Sequence, residues 1–372
     1  MHIAYNALLL RPPLSGVEQS ILRLAQALRC WGKSHQFTIF VGRDFPGGLG
    51  EAPHFHLVRL PWPNHRPWLR LLGENTLLAW RLRRGKFDLF HAPGYVAPWA
   101  APQPLVVSLY DAFVFSHPHL CKPSNVLYFR LMVPLSVRRA AYVLVPSEFT
   151  RRAVLRHLPA RPEQVQVVPL GVGEEFRPVI DPARREEVRR RYHLPERFVL
   201  FVGNREPKKN LPVALEAWER LKQRGWPHHF VLAGGKGWKE EAFLARLQNS
   251  PWRGEVHRLG YVPAEHLPVL YSLAEVFLFP SLVEGFGLPP LEAMACGTPV
   301  VASCRGALPE VLGEAALLVE PKGEEVGEAL ERVLRDAEVA DALRQKGFRQ
   351  AARFPWRRTA EETLRIYEAC AS

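Results

Sequence analysis

Two glutamates, Glu284 and Glu292, stand eight residues apart on either side of a glycine-rich segment. The apolar run Val276–Phe279 is expected to form a strand. A helix should begin after the loop, near Pro289 or Pro290, where a missing N–H costs nothing. The N–H groups of the loop and the positive end of that helix favour an anion such as a diphosphate. One carboxylate would face the group attached to the phosphates, and the other would accept hydrogen bonds from a ribose.

A second set of charged residues follows another expected strand, Phe198–Val202, which leads into Gly203. Three cations come before the next expected helix: Arg205, Lys208 and Lys209. Taken alone, such a cluster is more often a solvated surface loop. In an open parallel sheet, however, ligands bind beyond the carboxyl ends of the strands, which would bring these cations to the edge that carries the glutamate loop. Lys209 above all would then lie beside diphosphate oxygens.

The chain contains no D-x-D motif, although nucleotide-sugar enzymes that use a divalent metal commonly present paired aspartates to it. Cationic side chains would therefore neutralise a leaving diphosphate. The five cysteines are scattered and form no C-x-x-C, a pattern typical of reduced thiols without zinc or disulfides. We accordingly expect neither a metal nor a cofactor.

Length and composition indicate the class of protein. A chain of 372 residues is too long for one ordinary core, so two domains are expected. No apolar run reaches the length of a membrane span, and the N-terminal residues lack the layout of a signal peptide. These features predict a cytoplasmic protein.

The net charge of +12 belongs entirely to the first half. Residues 1–172 hold 20 Lys and Arg against 8 Asp and Glu, whereas residues 173–372 hold 29 against 29. The excess is either a basic bias of a soluble surface or a face for an anionic membrane or a phosphorylated acceptor, since each basic residue near anionic lipid is worth about 1 kcal/mol. No nucleic-acid motif accompanies the charge. The carriers include Arg66, Arg70, Arg81, Arg83, Arg84, Lys86, Arg130, Arg138, Arg139, Arg151, Arg152 and Arg156.

Strand and helix patterns alternate along both halves, which predicts an α/β protein with parallel sheets covered on both faces. The segment Pro169–Pro195 is rich in Gly, Pro and charge, so the domain boundary is placed there. We predict one domain over residues 1–172 and a nucleotide-binding domain over residues 173–355. Residues 324–350 are expected to be helical, and residues 356–372 are expected to form a C-terminal helix that crosses back to the first domain.

The motifs together resemble glycosyltransferase family four, a family of retaining enzymes with the GT-B fold of two facing Rossmann-like domains and a deep cleft between them. The similarity runs from Ser15 to the end of the chain and is densest from Gly203 to Glu310. Its most specific part is E-G-F-G-L-P-P-L-E-A-M-A-C-G-T-P-V-V-A-S, residues 284–303. Among subgroups, bacterial mannosyltransferases that assemble surface polysaccharides from GDP-mannose are the most similar.

The resemblance implies roles for individual residues. Glu284 would contact the donor sugar and stabilise positive charge near its anomeric carbon, and Glu292 would hold the ribose. Lys209 matches the phosphate-binding lysine of the family. Arg205 is a further candidate for catalysis. The remaining donor-binding candidates are Gly16, Gly203, Val262, Gly285, Phe286, Gly287 and Leu288.

Two positions depart from the family pattern. The family often has Arg directly after the strand-ending glycine, where this chain has Asn204 followed by Arg205. The first domain of the family often carries His-Asp where this chain has Tyr110 and Asp111. Tyr110 would take over a hydrogen bond of that histidine, or the sugar is bound differently. Asp111 and His91 are further candidates for a sugar or acceptor contact, although a lone histidine is more often structural.

The implied function is a retaining, metal-independent transfer of a hexose, with mannose favoured, from a nucleotide-diphosphate sugar to a saccharide or lipid-linked acceptor. GDP-mannose is the favoured substrate and a UDP-sugar is the alternative. The basic first domain would bind reversibly to the inner face of an anionic membrane. Three other interpretations are an epimerase or phosphorylase of the same fold, a nucleotide-sugar-binding protein that has lost activity, and a basic nucleic-acid binder. We rank all three below the glycosyltransferase.

Overall fold

The computed structural model describes residues 1–11, 14, 16–45, 47–62, 67–102 and 104–371. Ser15 and Arg66, both named above, lie outside the described residues. The chain divides into two compact units. Unit 1 comprises residues 1–171 together with 356–372, and unit 2 comprises residues 172–355.

The described strands are short and mostly buried. In chain order they are β1 His2–Asn6, β2 Gln36–Val41, β3 Phe55–Arg59, β4 Leu89–Ala92, β5 Leu105–Ser108, β6 Tyr142–Val145, β7 Val165–Val167, β8 Phe198–Val202, β9 His229–Ala233, β10 Val256–Gly260, β11 Val276–Phe279, β12 Val300–Ser303 and β13 Ala316–Val319.

Helices connect these strands. In chain order they are α1 Gly16–Trp31, α2 Pro67–Gly73, α3 Ala79–Arg84, α4 Phe113–Ser116, α5 Pro123–Arg139, α6 Glu148–His157, α7 Pro182–Arg191, α8 Leu211–Gln223, α9 Glu241–Asn249, α10 Leu267–Leu273, α11 Leu288–Ala295, α12 Leu308–Leu312, α13 Gly323–Arg335, α14 Ala337–Ala351 and α15 Trp356–Ala371. A π-helical turn, Glu74–Leu78, joins α2 to α3.

Each unit contains a parallel sheet of the Rossmann type. In unit 1 the described strands form the order β3-β2-β1-β4-β5-β6-β7, and in unit 2 the order is β10-β9-β8-β11-β12-β13. Every pairing between these strands is parallel. The central strands β4, β5, β8 and β11 are buried along their length because helices cover both faces of each sheet. The predicted α/β architecture with two Rossmann-like domains is therefore confirmed.

The C-terminal helix α15 belongs to unit 1, where it packs against α1. Its buried residues join the apolar core around β1 and α1; they are Trp356, Ala360, Leu364 and Tyr367. The hydroxyl of Thr359 also donates to the carbonyl of Pro169 over 2.8 Å. The helix is therefore part of unit 1, although the residues of unit 2 lie between α15 and the rest of unit 1 in the sequence.

Some elements differ from the sequence-based expectations. The segment Pro169–Pro195 contains a helix, α7, whose N-terminus is capped by Asp181. The helical stretch expected over residues 324–350 is interrupted at Asp336, which accepts a hydrogen bond from the N–H of Val339 and caps α14. In both places, an aspartate side chain satisfies a backbone donor that the helix itself leaves open.

Candidate functional site

The glutamate loop of unit 2 lies between β11 and α11, at the carboxyl end of a central strand. Helix α11 begins at Leu288, one or two residues before the expected start. Gly287 caps it with a φ of 109°, a left-handed conformation that other residues rarely adopt. A Cβ atom at this position would lie 2.7 Å from Cδ2 of Leu308. Both constraints require glycine at the turn that leads the loop into the helix.

Lys209 and Glu284 meet at this edge of the sheet. The Lys209 Nζ donates a hydrogen bond of 2.7 Å to Glu284 Oε1. It also lies 4.6 Å from the centre of the Phe279 ring. The two charged side chains are only 13% and 10% exposed. Because little water screens the pair, its attraction is strong. The two residues to which the sequence assigned separate catalytic roles are direct partners.

The ionisation of Glu284 reflects these surroundings. Burial raises the pKa of its carboxyl, whereas the charges of Lys209 and Lys208 lower it, and the net effect places the pKa below the usual value. Glu284 is therefore a carboxylate at neutral pH. A carboxylate at this position can stabilise positive charge or accept hydrogen bonds from hydroxyl groups.

The backbone of Glu284 is held from two sides. Its carbonyl accepts a hydrogen bond of 3.0 Å from the N–H of Ala307, and Gly306 packs directly against it. The N–H of Leu282 donates to the carbonyl of Lys208 over 2.7 Å, which ties the loop to the segment that carries Lys209. The sequence reasoning did not identify Gly306 as part of this support. Gly306 has a positive φ, a conformation that glycine favours, but no sequence motif indicates this conformation.

The backbone of the loop offers hydrogen-bond donors. Among the hydrogen bonds of the described residues, none is donated by the N–H of Phe286 or of Gly287. Both residues are buried, and the Phe286 ring packs edge-on against Phe354 with 5.6 Å between centroids. Gly285 is also buried, and Leu288 is the first residue of α11. Free N–H groups at the start of a helix are the feature that binds anions.

Glu292 lies on α11 and is held by a residue that the sequence reasoning missed. The hydroxyl of Tyr271, on α10, donates a hydrogen bond of 2.9 Å to Glu292 Oε2. Tyr271 is fully buried, and burial together with the Glu292 charge raises the pKa of its hydroxyl well above the usual value. The tyrosine therefore remains a proton donor and orients the carboxylate.

Arg205 is engaged within unit 2. Its Nε donates to Glu240 Oε2 over 2.6 Å, and its Nη1 donates to the carbonyl of Gly234 over 3.1 Å. These contacts join the loops that follow β8 and β9. The catalytic role suggested for Arg205 from the sequence remains a prediction, because two of its nitrogens serve this connection.

The other donor-binding candidates of unit 2 lie at the same edge of its sheet. Gly203 directly follows β8, and its N–H donates to the carbonyl of Ala233 at the end of the neighbouring strand. Val262 follows β10 and is buried. The carboxyl ends of β8, β10 and β11 thus carry the predicted residues of this unit.

Unit 1 contains the remaining candidates. Gly16 is the first residue of α1 and is exposed. Tyr110 follows β5, and its ring lies 5.8 Å from that of Tyr95. Asp111 accepts hydrogen bonds from the Tyr95 hydroxyl at 3.1 Å and from the N–H of Phe113 at 3.2 Å. Both oxygens of Asp111 therefore help to shape the turn that presents Tyr110.

His91 lies in the core of unit 1, and its suggested contact with a sugar or acceptor stays a prediction. It is fully buried on β4. Its Nδ1 lies 2.6 Å from the Tyr367 hydroxyl and its Nε2 lies 2.8 Å from the Ser108 hydroxyl. Burial lowers the pKa of the ring to about 3. The histidine thus fastens α15 to the first sheet.

Comparisons with known proteins decide the family. Residues 14–176 match the model of Glycosyltransferase Family 4, and residues 184–350 match that of Glycosyl transferases group 1. The O-antigen chain mannosyltransferase B of Escherichia coli is 28% identical, over 99% of this chain and 100% of that protein. The MMP alpha-(1->4)-mannosyltransferase of Mycolicibacterium hassiacum is 35% identical over 90% of each chain. The chain belongs to glycosyltransferase family 4.

This glycosyltransferase has the GT-B fold. The structure of sucrose-phosphate synthase from Thermosynechococcus elongatus superimposes with a TM-score of 0.80, covering 99% of this chain and 98% of that one at 22% identity. Among the residues that the model describes, no helix is long and apolar enough to cross a membrane. The same residues contain no group of three or more His, Cys, Asp and Glu side chains that would suit a metal ion.

Proposed function

We propose that this glycosyltransferase transfers mannose from GDP-mannose to a saccharide or lipid-linked acceptor with retention of configuration, without a metal. The observation that carries the proposal is the ion pair of Lys209 and Glu284 beside the N–H groups of Phe286 and Gly287. A lysine and free N–H groups suit a diphosphate, and a carboxylate next to them suits the sugar that the diphosphate carries. The relatives described above are both named mannosyltransferases.

In the proposed reaction, an acceptor oxygen bonds to the anomeric carbon of the donor while the bond from that carbon to the diphosphate oxygen breaks. Lys209 and the loop N–H groups stabilise the charge that develops on the leaving diphosphate. Glu284 stabilises the positive charge on the sugar ring. The leaving phosphate oxygen takes the proton of the acceptor hydroxyl, so both products are balanced without a side-chain base.

Glu292 would accept hydrogen bonds from the ribose hydroxyls, with Tyr271 holding its second oxygen. Val262 would lie near the base, and Gly16 would let the backbone of unit 1 approach the diphosphate closely. Tyr110 would contact the sugar or the acceptor in the place of the family's histidine. These assignments carry the family roles onto the residues that match its motifs.

A thermal-shift screen tests the donor. GDP and GDP-mannose should raise the melting temperature more than UDP, ADP or their sugars, because a ligand that binds the folded state stabilises it. If only UDP-glucose or UDP-N-acetylglucosamine raises the melting temperature, the donor is a UDP-sugar and the proposal of GDP-mannose is wrong. NMR of the product should show an α-linkage, as in the donor, and a β-linkage would contradict retention.

Glu284→Ala tests the site. We expect loss of transfer while GDP still raises the melting temperature, since the carboxylate serves the sugar and not the nucleotide. Glu187→Ala is the matched control, because Glu187 is exposed on α7. If Glu284→Ala removes both transfer and GDP binding from a folded protein, the assignment of Glu284 to the sugar is wrong.

We further propose that the acceptor is lipid-linked and that the basic N-terminal region contacts an anionic membrane. The whole net charge of +12 lies in residues 1–172. Such a charge attracts anionic lipid and loses its effect as salt rises. Equal binding to neutral and anionic vesicles would contradict this part of the proposal.

A further inference from the structure

Helix α5 of unit 1 carries an apolar stripe that faces solvent. Leu127, Leu131 and Leu135 are 66%, 60% and 45% exposed. They are spaced four residues apart, so they lie on one face of the helix. Val133 and Val137 on the opposite face are buried in the core. Unlike scattered surface leucines, the three form a continuous row.

Two further segments with exposed tryptophans adjoin this helix. Trp99 is 67% exposed in the loop of residues 97–101. Arg139 of α5 donates to the carbonyls of Pro98 at 3.0 Å and Ala101 at 2.6 Å, which fastens that loop to the helix. The N–H of Trp99 also donates to Asn75 over 2.8 Å. The loop is therefore joined both to α5 and to the helical segment of residues 67–84.

That helical segment adds exposed apolar groups and charge. Leu72 and Trp80 are exposed, and the Arg84 guanidinium lies 4.5 Å from the centre of the Trp80 ring. On α5, Arg130 follows Leu127 by three residues and Arg138 follows Leu135 by three, so each arginine borders the stripe. We name the set formed by Leu72, Trp80, Trp99, Leu127, Leu131 and Leu135 the leucine–tryptophan surface.

Basic side chains outnumber acidic ones around this surface. Residues 67–139 contain nine Lys and Arg against three Asp and Glu. Glu74 is buried beside Asn6, and Asp111 accepts from Tyr95. Asp88 accepts from the N–H of His2. Apart from Asp88, the exposed charged residues of this region are basic: Arg83, Arg84, Lys86, Lys122, Arg130 and Arg138.

We propose that the leucine–tryptophan surface enters the interface of an anionic lipid membrane, with α5 lying parallel to the membrane plane. This inference rests on the proposed lipid-linked acceptor and names the surface that would reach it. Leucines and tryptophans of an interfacial helix bury themselves at the boundary between headgroups and acyl chains. The bordering arginines meet the anionic headgroups, while their aliphatic stems cover part of the apolar area.

The charge favours lipid over a second copy of the chain. Pairing this surface with itself would bring two basic regions together, and like charges across an interface are costly. An anionic membrane complements both properties at once, since it accepts apolar side chains and neutralises arginines.

The combined variant Leu127→Ser/Leu131→Ser/Leu135→Ser tests the apolar part by co-sedimentation with vesicles of phosphatidylcholine and phosphatidylglycerol. Binding should fall by roughly ten-fold or more, because association scales with the apolar area that is buried. All three residues are exposed, so the fold should survive. Ile180→Ser in unit 2 is the matched control, since Ile180 is 82% exposed. Unchanged vesicle binding by the triple variant would overturn the proposal.

Arg130→Gln/Arg138→Gln tests the charged part. Binding should fall roughly five-fold for each arginine, with a weaker salt dependence. Arg332→Gln/Arg349→Gln, exposed on α13 and α14, is the matched control. Equal binding to pure phosphatidylcholine would overturn the anionic requirement. A wild-type dimer in gel filtration that the leucine triple variant abolishes would instead assign the surface to a second copy.

The two proposals fail in distinguishable ways. The triple variant should keep the thermal shift with GDP and the transfer to a water-soluble acceptor, since its substitutions lie in unit 1, whereas Lys209 and Glu284 belong to unit 2. Loss of vesicle binding alone supports the surface. A wild-type protein that binds vesicles but neither GDP nor GDP-mannose would overturn the proposed mannose transfer and would leave the proposal for the surface intact.

Discussion

The Lys209 ammonium donates to the Glu284 carboxylate over 2.7 Å, although the two residues are 75 positions apart in the chain. Lys209 ends the turn after β8, and Glu284 lies in the loop after β11. Because β8 and β11 are neighbours in the sheet, the two loops emerge side by side. The pair holds each side chain in place and sets the charge of the region that the donor would enter.

Lys209→Ala should lower turnover by roughly 10²-fold or more if the ammonium stabilises charge in the transition state. It should also lower the melting temperature, because Glu284 would remain as a nearly buried charge without this partner. Lys346→Ala is the control, since Lys346 is exposed on α14 and its Nζ lies 3.3 Å from the exposed Glu314. Near wild-type turnover in folded Lys209→Ala would contradict the assignment.

A double-mutant cycle separates the structural from the catalytic effect. Lys209→Met/Glu284→Gln should melt at a higher temperature than Lys209→Met, because the second change removes the unmatched charge. Activity should remain lost in the combined variant. Additive effects on the melting temperature would show that the two residues are not energetically coupled.

Gly306→Ala should disturb the backbone of Glu284. Gly306 has a φ of 69°, and a Cβ there would lie 2.6 Å from the N and 2.7 Å from the O of Glu284. We expect a loss of stability of about 1–3 kcal/mol and a larger fractional loss of transfer than of GDP binding. Gly254→Ala is the control, because a Cβ there meets nothing within 4 Å. Calorimetry and initial rates on both variants measure these effects, and equal behaviour would refute the prediction.

Tyr271→Phe should weaken nucleotide binding, although Tyr271 itself would not contact the nucleotide. Its hydroxyl orients Glu292, and loss of a hydrogen bond to a charged group costs about 1.5–3 kcal/mol, or roughly ten-fold or more in affinity. Calorimetric titration with GDP and 2′-deoxy-GDP measures the effect. The variant should discriminate less between the two if Glu292 holds the ribose. Tyr192→Phe, at a tyrosine whose hydroxyl lies 2.8 Å from His266, should bind like the wild type.

Because of His91, the stability of the folded protein should decrease at acidic pH. Its pKa is about 3 in the folded protein and near 6.5 when unfolded, so between these values the unfolded state binds the extra proton. Stability attributable to this group is present above pH 6.5 and falls as pH decreases, by about 2 kcal/mol at pH 5. The melting temperature of His91→Asn should consequently decline less than that of the wild type from pH 7 to pH 5. Parallel curves for the two proteins would contradict this prediction.

Much of the fold follows from local patterns. The runs Phe198–Val202 and Val276–Phe279 are apolar throughout because both faces of their sheet are covered, and they form strands at those positions. Ser147 caps α6 as its side chain predicts, since its oxygen accepts the N–H of Thr150. By contrast, apolar and polar residues alternate less clearly in β3 at the sheet edge, and α5 exposes leucines on one face. Elements without a single apolar side are hard to recognise from periodicity alone.

The sequence by itself determined the family, the two parallel sheets and the motif residues Glu284, Glu292 and Lys209, because motifs and apolar periods are properties of neighbouring residues. Only the tertiary structure decided the partners of those residues. It paired Lys209 with Glu284, placed Tyr271 against Glu292 and buried His91 between Ser108 and Tyr367. Such contacts join loops and helices far apart in the chain, so they depend on strand order and packing, which no local pattern encodes.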